Sequence, residues 1–384
     1  MAGLLRFMVS RTFEFCENMR KPNVLQGFRL ATIPVRQAGM NETIPPRDAK
    51  ARPSTLEDVA RRAGVSLGTA SKALNGRDRV SDATRARVED AARALAYVGN
   101  PLARGLSQGL SGTVGLLTSD LEGRFSLPIL MGAEDRFGAG RVSVFLCDAR
   151  GDAIREQHYI SALLARRVDA IMVVGSKTDH RAPIGRDLPV PVIYVYTPSQ
   201  DPRDLSLTPD NVAGGRMAIE HLLASGRRHI AHLTGPGHER AAADRTRGIA
   251  QVLAESGTQL MFETAYGEWT ERWGRSSCAM MLEQGTKVDA ILCDSDQIAR
   301  GALDALRERG IRVPDDVAVI GFDNWDIIVE GTHPPLTSID MNLGLLGRHA
   351  AERLFHAIGG APLASGIELS DCRLVVRGST ALTI

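Results

Sequence analysis

Residues 53–75 read PSTLEDVARRAGVSLGTASKALN, and the spacing predicts two short helices joined by a tight turn. Thr55 with Asp58, or Ser54 with Glu57, forms a capping box at the start of the first helix. Leu56, Val59, Ala60 and Ala63 recur at helical spacing and make its buried face. Gly64 permits the turn, and Ser66 caps the second helix. Ala70, Ala73 and Leu74 of that helix face inward. Gly68, Ser71, Lys72 and Asn75 share its outer face, with Leu67 beside them. A short helix with small and basic residues outward is what a DNA major groove admits, although the pattern alone also suits a small helical subdomain.

Working outward, VSDATR (80–85) opens a third helix whose Val88, Ala92 and Leu95 close a three-helix core. After Tyr97, NPLARGLSQG (100–109) places Asn100 as a cap and Pro101 at the first helical position of a segment of barely two turns. With TLEDVARRAGVS, TASKALNG, VSDATRARV, AYVGNPLARGL and the following VGLL in this order, the chain resembles the lactose/galactose repressor family of bacterial transcriptional regulators. Later motifs extend the resemblance over residues 54–384. It implies DNA contacts from Thr55, Ser66, Leu67, Gly68, Thr69, Ser71, Lys72, Asn75 and Tyr97 in the head. It implies further contacts from Asn100, Ala103 and Leu106 in a hinge that is helical only on DNA, where Leu106 wedges into the minor groove at the centre of a palindromic operator.

Charge is divided in the same sense. Residues 52–110 carry 10 Lys+Arg against 6 Asp+Glu, a net of +4, and residues 111–384 carry 28 against 35, a net of −7. A basic head on an acidic body suggests that only the head meets a polyanion. Cys16, Cys147, Cys278, Cys293 and Cys372 are scattered without a CxxC pair, which argues against zinc and fits a reduced, cytoplasmic setting. No apolar run reaches membrane-span length. Residues 1–51 show no sustained periodicity and read as a disordered arm, or else residues 1–39 stand ahead of a natural start at Met40.

Beyond Ser111 the pattern becomes strand–helix repeats. Apolar runs at 114–119, 142–148, 168–175 and 191–196 alternate with helical stretches near 127–139 and 152–166. A second series, at 229–235, 288–296 and 317–323, has helices near 211–225, 238–256, 270–284 and 297–309. VDAIMVV and VDAILCD begin alike 120 residues apart, which points to a duplicated α/β design. The expected organisation is a 1–51 arm, a 52–99 all-α helix-turn-helix head, a 100–110 hinge and a 111–384 two-lobe α/β core with parallel sheets. Lobe 1 spans about 111–208 and 340–366, and lobe 2 about 209–339 and 367–384. A ligand cleft lies at the carboxyl ends of the strands, with crossovers near 208–211 and 337–341.

The resemblance implies a periplasmic-binding-protein-like core with an effector between the lobes, in a homodimer or a tetramer. Arg245 and Asp323 match positions that bond effector hydroxyls, and Trp269, Ser295, Phe125 and Leu343 match positions lining the cleft. A guanidinium fork and a carboxylate each hold neighbouring hydroxyls, and an indole covers the apolar face of a sugar. The other readings are an interlobe salt bridge or helix cap for Arg245 and Asp323, core packing for Trp269, and a helix cap for Asp296. Ser295 stands where asparagine is common, and Leu343 where an aromatic is. Asn342, Tyr196 and Trp273 are candidates to compensate. The expected effector is a sugar or sugar derivative, with no cofactor, metal or membrane partner.

Two other functions compete with this one. A sugar receptor without DNA function shares the core but not the head, and the N-terminal residues lack an export signal. Gly64-Val65-Ser66-Leu67-Gly68 matches a hydrolase nucleophile elbow, but that motif needs a buried strand before the serine, and EDVARRA is charged and helical. His229 and His232 read as structural rather than metal-binding.

Overall fold

The computed structural model describes residues 54–74, 80–97, 110–120, 122–138, 142–285 and 287–381. They fall into two compact units, one ending at 98 and the other beginning at 99. The arm, the hinge, Asn75, Asn100, Ala103 and Leu106 lie outside the described residues.

The first unit is a three-helix head: α1 (Leu56–Ala63), α2 (Leu67–Leu74) and α3 (Asp82–Ala94). Of the two possible boxes, Thr55 and Asp58 form it. The Asp58 amide donates to Thr55 Oγ1 at 3.3 Å, and the Thr55 amide donates to Asp58 Oδ2 at 2.9 Å. Gly64 ends α1 at φ 64°, a left-handed value that costs glycine little. Ser66 Oγ accepts from the Thr69 amide at the start of α2, and Ser81 caps α3 in the same way. Val59, Ala60, Ala70, Ala73, Val88, Ala91 and Ala92 form the core, flanked by Leu56, Leu74, Leu95 and Tyr97. Because the core residues are mostly alanines, the helices approach closely. Arg85 also ties α3 to α2 by donating to the Ala73 carbonyl at 2.9 Å.

The second unit contains two sheets, parallel throughout except for one antiparallel edge strand. The first has β1 (Thr113–Thr118), β2 (Ser143–Asp148), β3 (Ala170–Val174), β4 (Val192–Val195), β5 (Leu205–Pro209) and β11 (Gly366–Ser370), in the order β11-β5-β4-β3-β1-β2. The second has β6 (Ile230–Thr234), β7 (Ala265–Tyr266), β8 (Ala290–Cys293), β9 (Ala318–Phe322), β10 (Thr337–Asp340) and β12 (Arg373–Val375), in the order β12-β10-β9-β8-β6-β7. The two orders are the same, strand for strand, so the duplication suggested by the VDAI repeat is present in the topology. Asp169 and Asp289 of that repeat also do the same work. Asp169 accepts from the Ser111 and Thr113 amides at 2.7 and 3.1 Å, and Asp289 from the Arg228 and His229 amides at 2.9 and 3.0 Å. Each carboxylate satisfies backbone donors at the entry of the neighbouring strand.

The expected lobe boundary at 366/367 is corrected. β11 runs parallel to β5, with Gly366 opposite Leu205, so the chain crosses back to the second lobe only after Ser370. It then enters β12, antiparallel to β10. The alternation of β11, with Ile367 and Leu369 exposed, is that of an edge strand.

The helices are α4 (Ser126–Phe137), α5 (Ala153–Ala165), α6 (Asn211–Ala224), α7 (Arg240–Ser256), α8 (Glu271–Glu283), α9 (Asp296–Glu308), α10 (Asp326–Val329) and α11 (Leu343–Ile358). Three pairs, α4 with α11, α6 with α7 and α8 with α9, pack through reciprocal glycines. A methyl on Gly215 of α6 would overlap the Arg245 carbonyl of α7, and one on Gly248 would overlap the Val212 carbonyl. The backbones touch there, which sets the position of Arg245.

Candidate functional site

The cleft begins where β9 ends. Asp323 and Asn324 have φ of 110° and 51°, values that side-chain-bearing residues adopt at a cost. Three bonds hold them. The Asp323 amide donates to Ile339 O at 2.8 Å, the Asn324 amide to Ser338 Oγ at 3.0 Å and the Trp325 amide to Asp296 Oδ2 at 2.7 Å. Ser338 Oγ in turn donates to Asp296 Oδ1 at 2.6 Å. Asp296 therefore anchors the turn, and Ser295 rather than Asp296 caps α9, accepting from the Ile298 amide at 3.2 Å. Burial pushes the Asp296 carboxyl well above the usual carboxylate range, and the nearby Asp323 adds to this.

Arg245 is buried on α7. Its Nε donates to Asn211 Oδ1 at 2.8 Å, one terminal nitrogen donates to the Asp294 carbonyl, and the guanidinium lies 3.6 Å above the Phe322 ring. Its other end stands 3.8 Å from Asp323 Oδ1. The expected interlobe bridge is corrected: Arg245 and Asp323 belong to the same lobe, and the pair faces the cleft. Asp323 is also engaged from the opposite lobe by Arg124, which donates to Gln297 Oε1 as well, at 3.0 Å. Burial raises the Asp323 carboxyl, and Arg124 and Arg245 pull it back down.

Trp269 packs against the core of the second lobe. Its indole lies over Gly235, where any Cβ would collide with it, and Nε1 donates to Glu239 Oε2 at 2.6 Å. Lys177, from the first lobe, reaches Glu239 Oε1 at 2.5 Å, a second link between the lobes. Phe125 precedes α4 and stacks on Tyr196 with centroids 4.5 Å apart. Leu343 begins α11.

These side chains enclose two chambers that share Arg124, Phe125 and Asp323. The inner one, about 120 Å³, is lined by Arg245, Trp269, Ser295, Tyr196, Lys177 and Glu239 among others. The outer one, about 340 Å³, is lined by Leu343, Asn342, Trp325, Asp326, Asp340 and Arg373 among others. All six cleft residues expected from the sequence line one chamber or the other. Of the compensating candidates, Asn342 and Tyr196 do as well. Trp273 instead donates to the Thr234 carbonyl at 3.1 Å and lies against Gly267. Arg124, Lys177, Glu239 and Trp325 were not singled out from the sequence. The only available signal was position: Arg124 closely follows the end of β1, and Trp325 the end of β9.

In the head, Leu67 is 52% exposed, and Gly68 and Lys72 are exposed beside it. Ser66 and Thr69 hydroxyls meet at 2.9 Å, and Tyr97 lies half-buried against the core. Ser66 thus sits between two helices as a cap, without the strand that a nucleophile elbow requires. His229 lies 3.4 Å from Asp289, and His232 is buried between Asp294 and Thr264. No group of three or more His, Cys, Asp or Glu among the described residues is placed to hold a metal ion. No helix among them is long and apolar enough to cross a membrane.

Comparison with known proteins agrees with this geometry. Residues 55–100 match the family described as bacterial regulatory proteins, lacI family, and residues 219–380 match a periplasmic binding protein-like domain. The chain is 30% identical over 331 residues to the HTH-type transcriptional repressor CytR of Escherichia coli (strain K12), covering 85% of this chain and 96% of that one. It is 33% identical over 337 residues to the HTH-type transcriptional regulator CelR of Thermobifida fusca, covering 85% and 98%. Among solved structures, the Lac repressor dimer bound to operator and the anti-inducer ONPF is matched with a TM-score of 0.67 at 30% identity, over 86% of this chain and all of that one. A CelR–cellobiose complex is matched at 0.58 and 30%, over 85% and 99%. A helix-turn-helix head, a duplicated two-lobe core and relatives matched along nearly their whole length lead to one assignment: the chain belongs to the lacI family of bacterial transcriptional regulators.

Proposed function

We propose that the protein is a cytoplasmic, homodimeric repressor that binds a palindromic operator through its head and is switched by a sugar or sugar derivative held between the lobes. The observation that carries this is the convergence of Arg245, Asp323, Trp269, Ser295, Phe125 and Leu343 on one cleft. The cleft offers a guanidinium, carboxylates and an indole, the groups that bind hydroxyls and cover the apolar face of a ring. The matched Lac repressor is a dimer on operator, and the matched CelR holds cellobiose, which supports the same arrangement here. In the dimer, the exposed Phe145 and Leu146 of edge strand β2 and Tyr266 of edge strand β7 supply apolar surface for the partner. On the DNA side, Leu67, Gly68, Ser71 and Lys72 face the major groove. Leu67 and Gly68 contribute shape and apolar contact, and Lys72 a hydrogen bond to guanine or phosphate.

A switch needs a ligand that favours one arrangement of the lobes over another. Residues from both lobes line both chambers, so an occupant bears on the angle between them. The test is a thermal-shift screen of the full chain against carbohydrates, followed by operator gel shifts with each hit. An effector at 100 times its dissociation constant adds about 2.7 kcal/mol of stability. If no carbohydrate changes either melting or operator affinity, the reading fails.

A further inference from the structure

The two chambers are built alike. Each has an indole on its wall, Trp269 in the inner and Trp325 in the outer. Each also has its own carboxylate, Glu239 in the inner, bonded to Lys177 and Trp269, and Asp340 in the outer, bonded to Arg373 and the Asn342 amide, and Asp323 serves both. A pyranose asks for this set: a flat apolar platform on one side and carboxylate or amide oxygens around its edge. One such set accommodates one ring, and the cleft has two.

Arg124 occupies the junction. Its guanidinium pairs with Asp323 and lies 4.9 Å from the centroid of the Trp325 ring and 5.0 Å from that of Phe125. It thereby takes both the carboxylate and the aromatic face that a ring in the outer chamber would use. Its own bonding is incomplete, because Nε is buried without a partner. A buried donor left unmade carries a free-energy cost, which weakens the hold of Arg124 on this place.

We infer that the effector is a disaccharide-type molecule, with one polyhydroxylated ring in each chamber, whose entry displaces Arg124 from Asp323 and from the face of Trp325. The inference rests on the proposed sugar-binding cleft.

The experiment is calorimetric titration of the full chain with matched compounds: glucose against cellobiose and maltose, galactose against lactose, and the nucleosides uridine and adenosine. At least one disaccharide is expected to bind about tenfold or more tightly than its own monosaccharide, a difference of about 1.4 kcal/mol. Trp325→Ala is expected to bring that disaccharide down to the monosaccharide affinity, and Trp325→Phe, which keeps a stacking face, to restore most of it. Arg124→Ala is expected to tighten disaccharide binding several-fold by removing the competitor. Equal affinity for a disaccharide and its monosaccharide would overturn the two-ring inference and leave the sugar cleft standing. Binding of nucleosides alone, or of none of these compounds, would overturn both. An unchanged disaccharide affinity in a folded Trp325→Ala protein, its melting within a few degrees of wild type, would also overturn the inference.

Discussion

Arg124 and Asp323 reach toward each other from opposite lobes and meet in a buried ion pair at the centre of the cleft. Asp323 is held on its other side by Arg245 of its own lobe. One carboxylate therefore receives two guanidinium groups, one fixed by the backbone around it and one carried on the loop after β1. The fixed partner, Arg245, is anchored by Asn211 and by the Asp294 carbonyl, so the partner that can leave is Arg124.

Asp323→Asn tests the centre of the site. The amide keeps the shape but loses the charge that balances Arg124 and Arg245 and one of the acceptors for hydroxyls. The expected result is loss of the sugar response, with affinity falling by about 2–3 kcal/mol. Calorimetric titration of the variant measures this, and wild-type affinity would remove Asp323 from the site.

Lys72→Ala tests the head. The side chain is exposed on α2 beside Leu67 and Gly68. If it reads a base, operator affinity drops by about 1–3 kcal/mol and base preference relaxes at one position. Fluorescence anisotropy at fixed salt against a set of single-base operator variants separates that outcome from a phosphate contact, which weakens all sequences alike.

Gly215→Ala tests how the fold positions Arg245. The added methyl meets the Arg245 backbone carbonyl, which no side-chain rotation can relieve. Overpacking of this kind costs about 1–3 kcal/mol. Urea denaturation should show that loss, together with a weaker sugar response because α7 moves with Arg245. A substitution that leaves both unaltered would mean that the two helices are free to separate there.

Asp296→Asn tests the buried carboxyl under the Trp325 turn. Its acidity is shifted upward, so between the ordinary carboxylate range and the raised value the folded protein keeps a proton that the unfolded chain has lost. Stability therefore falls as pH rises through that window. Asparagine does not titrate, so the difference in unfolding free energy between about pH 5 and about pH 7.5 should be smaller in the variant than in wild type. An identical pH dependence in both proteins would show that Asp296 is not its source.

Local chemistry made much of this protein legible. The Thr55 box, the Gly64 turn, the Ser66 cap and the alanine faces of the head all act within a few residues, so they could be read along the chain. The fully buried strands β3, β8 and β9 stand out for the same reason, as short apolar runs closed by polar residues. β5, α11 and β11 did not stand out. LSLTP is short and polar in alternation, and it is buried only because β4 and β11 lie on either side of it.

The sequence by itself determined the helix-turn-helix, the repeated strand–helix pattern and the strand ends from which cleft residues project, since each follows from periodicity and capping over short spans. Tertiary structure alone decided that Ser370 rather than Gly366 closes the last stretch of the first lobe, that Gly215 sets Arg245, and that Arg124 stands on Asp323. The physical reason is distance along the chain. Arg124 and Asp323 are 199 residues apart, and no local preference encodes a contact that exists only when two separately folded sheets bring their carboxyl ends together.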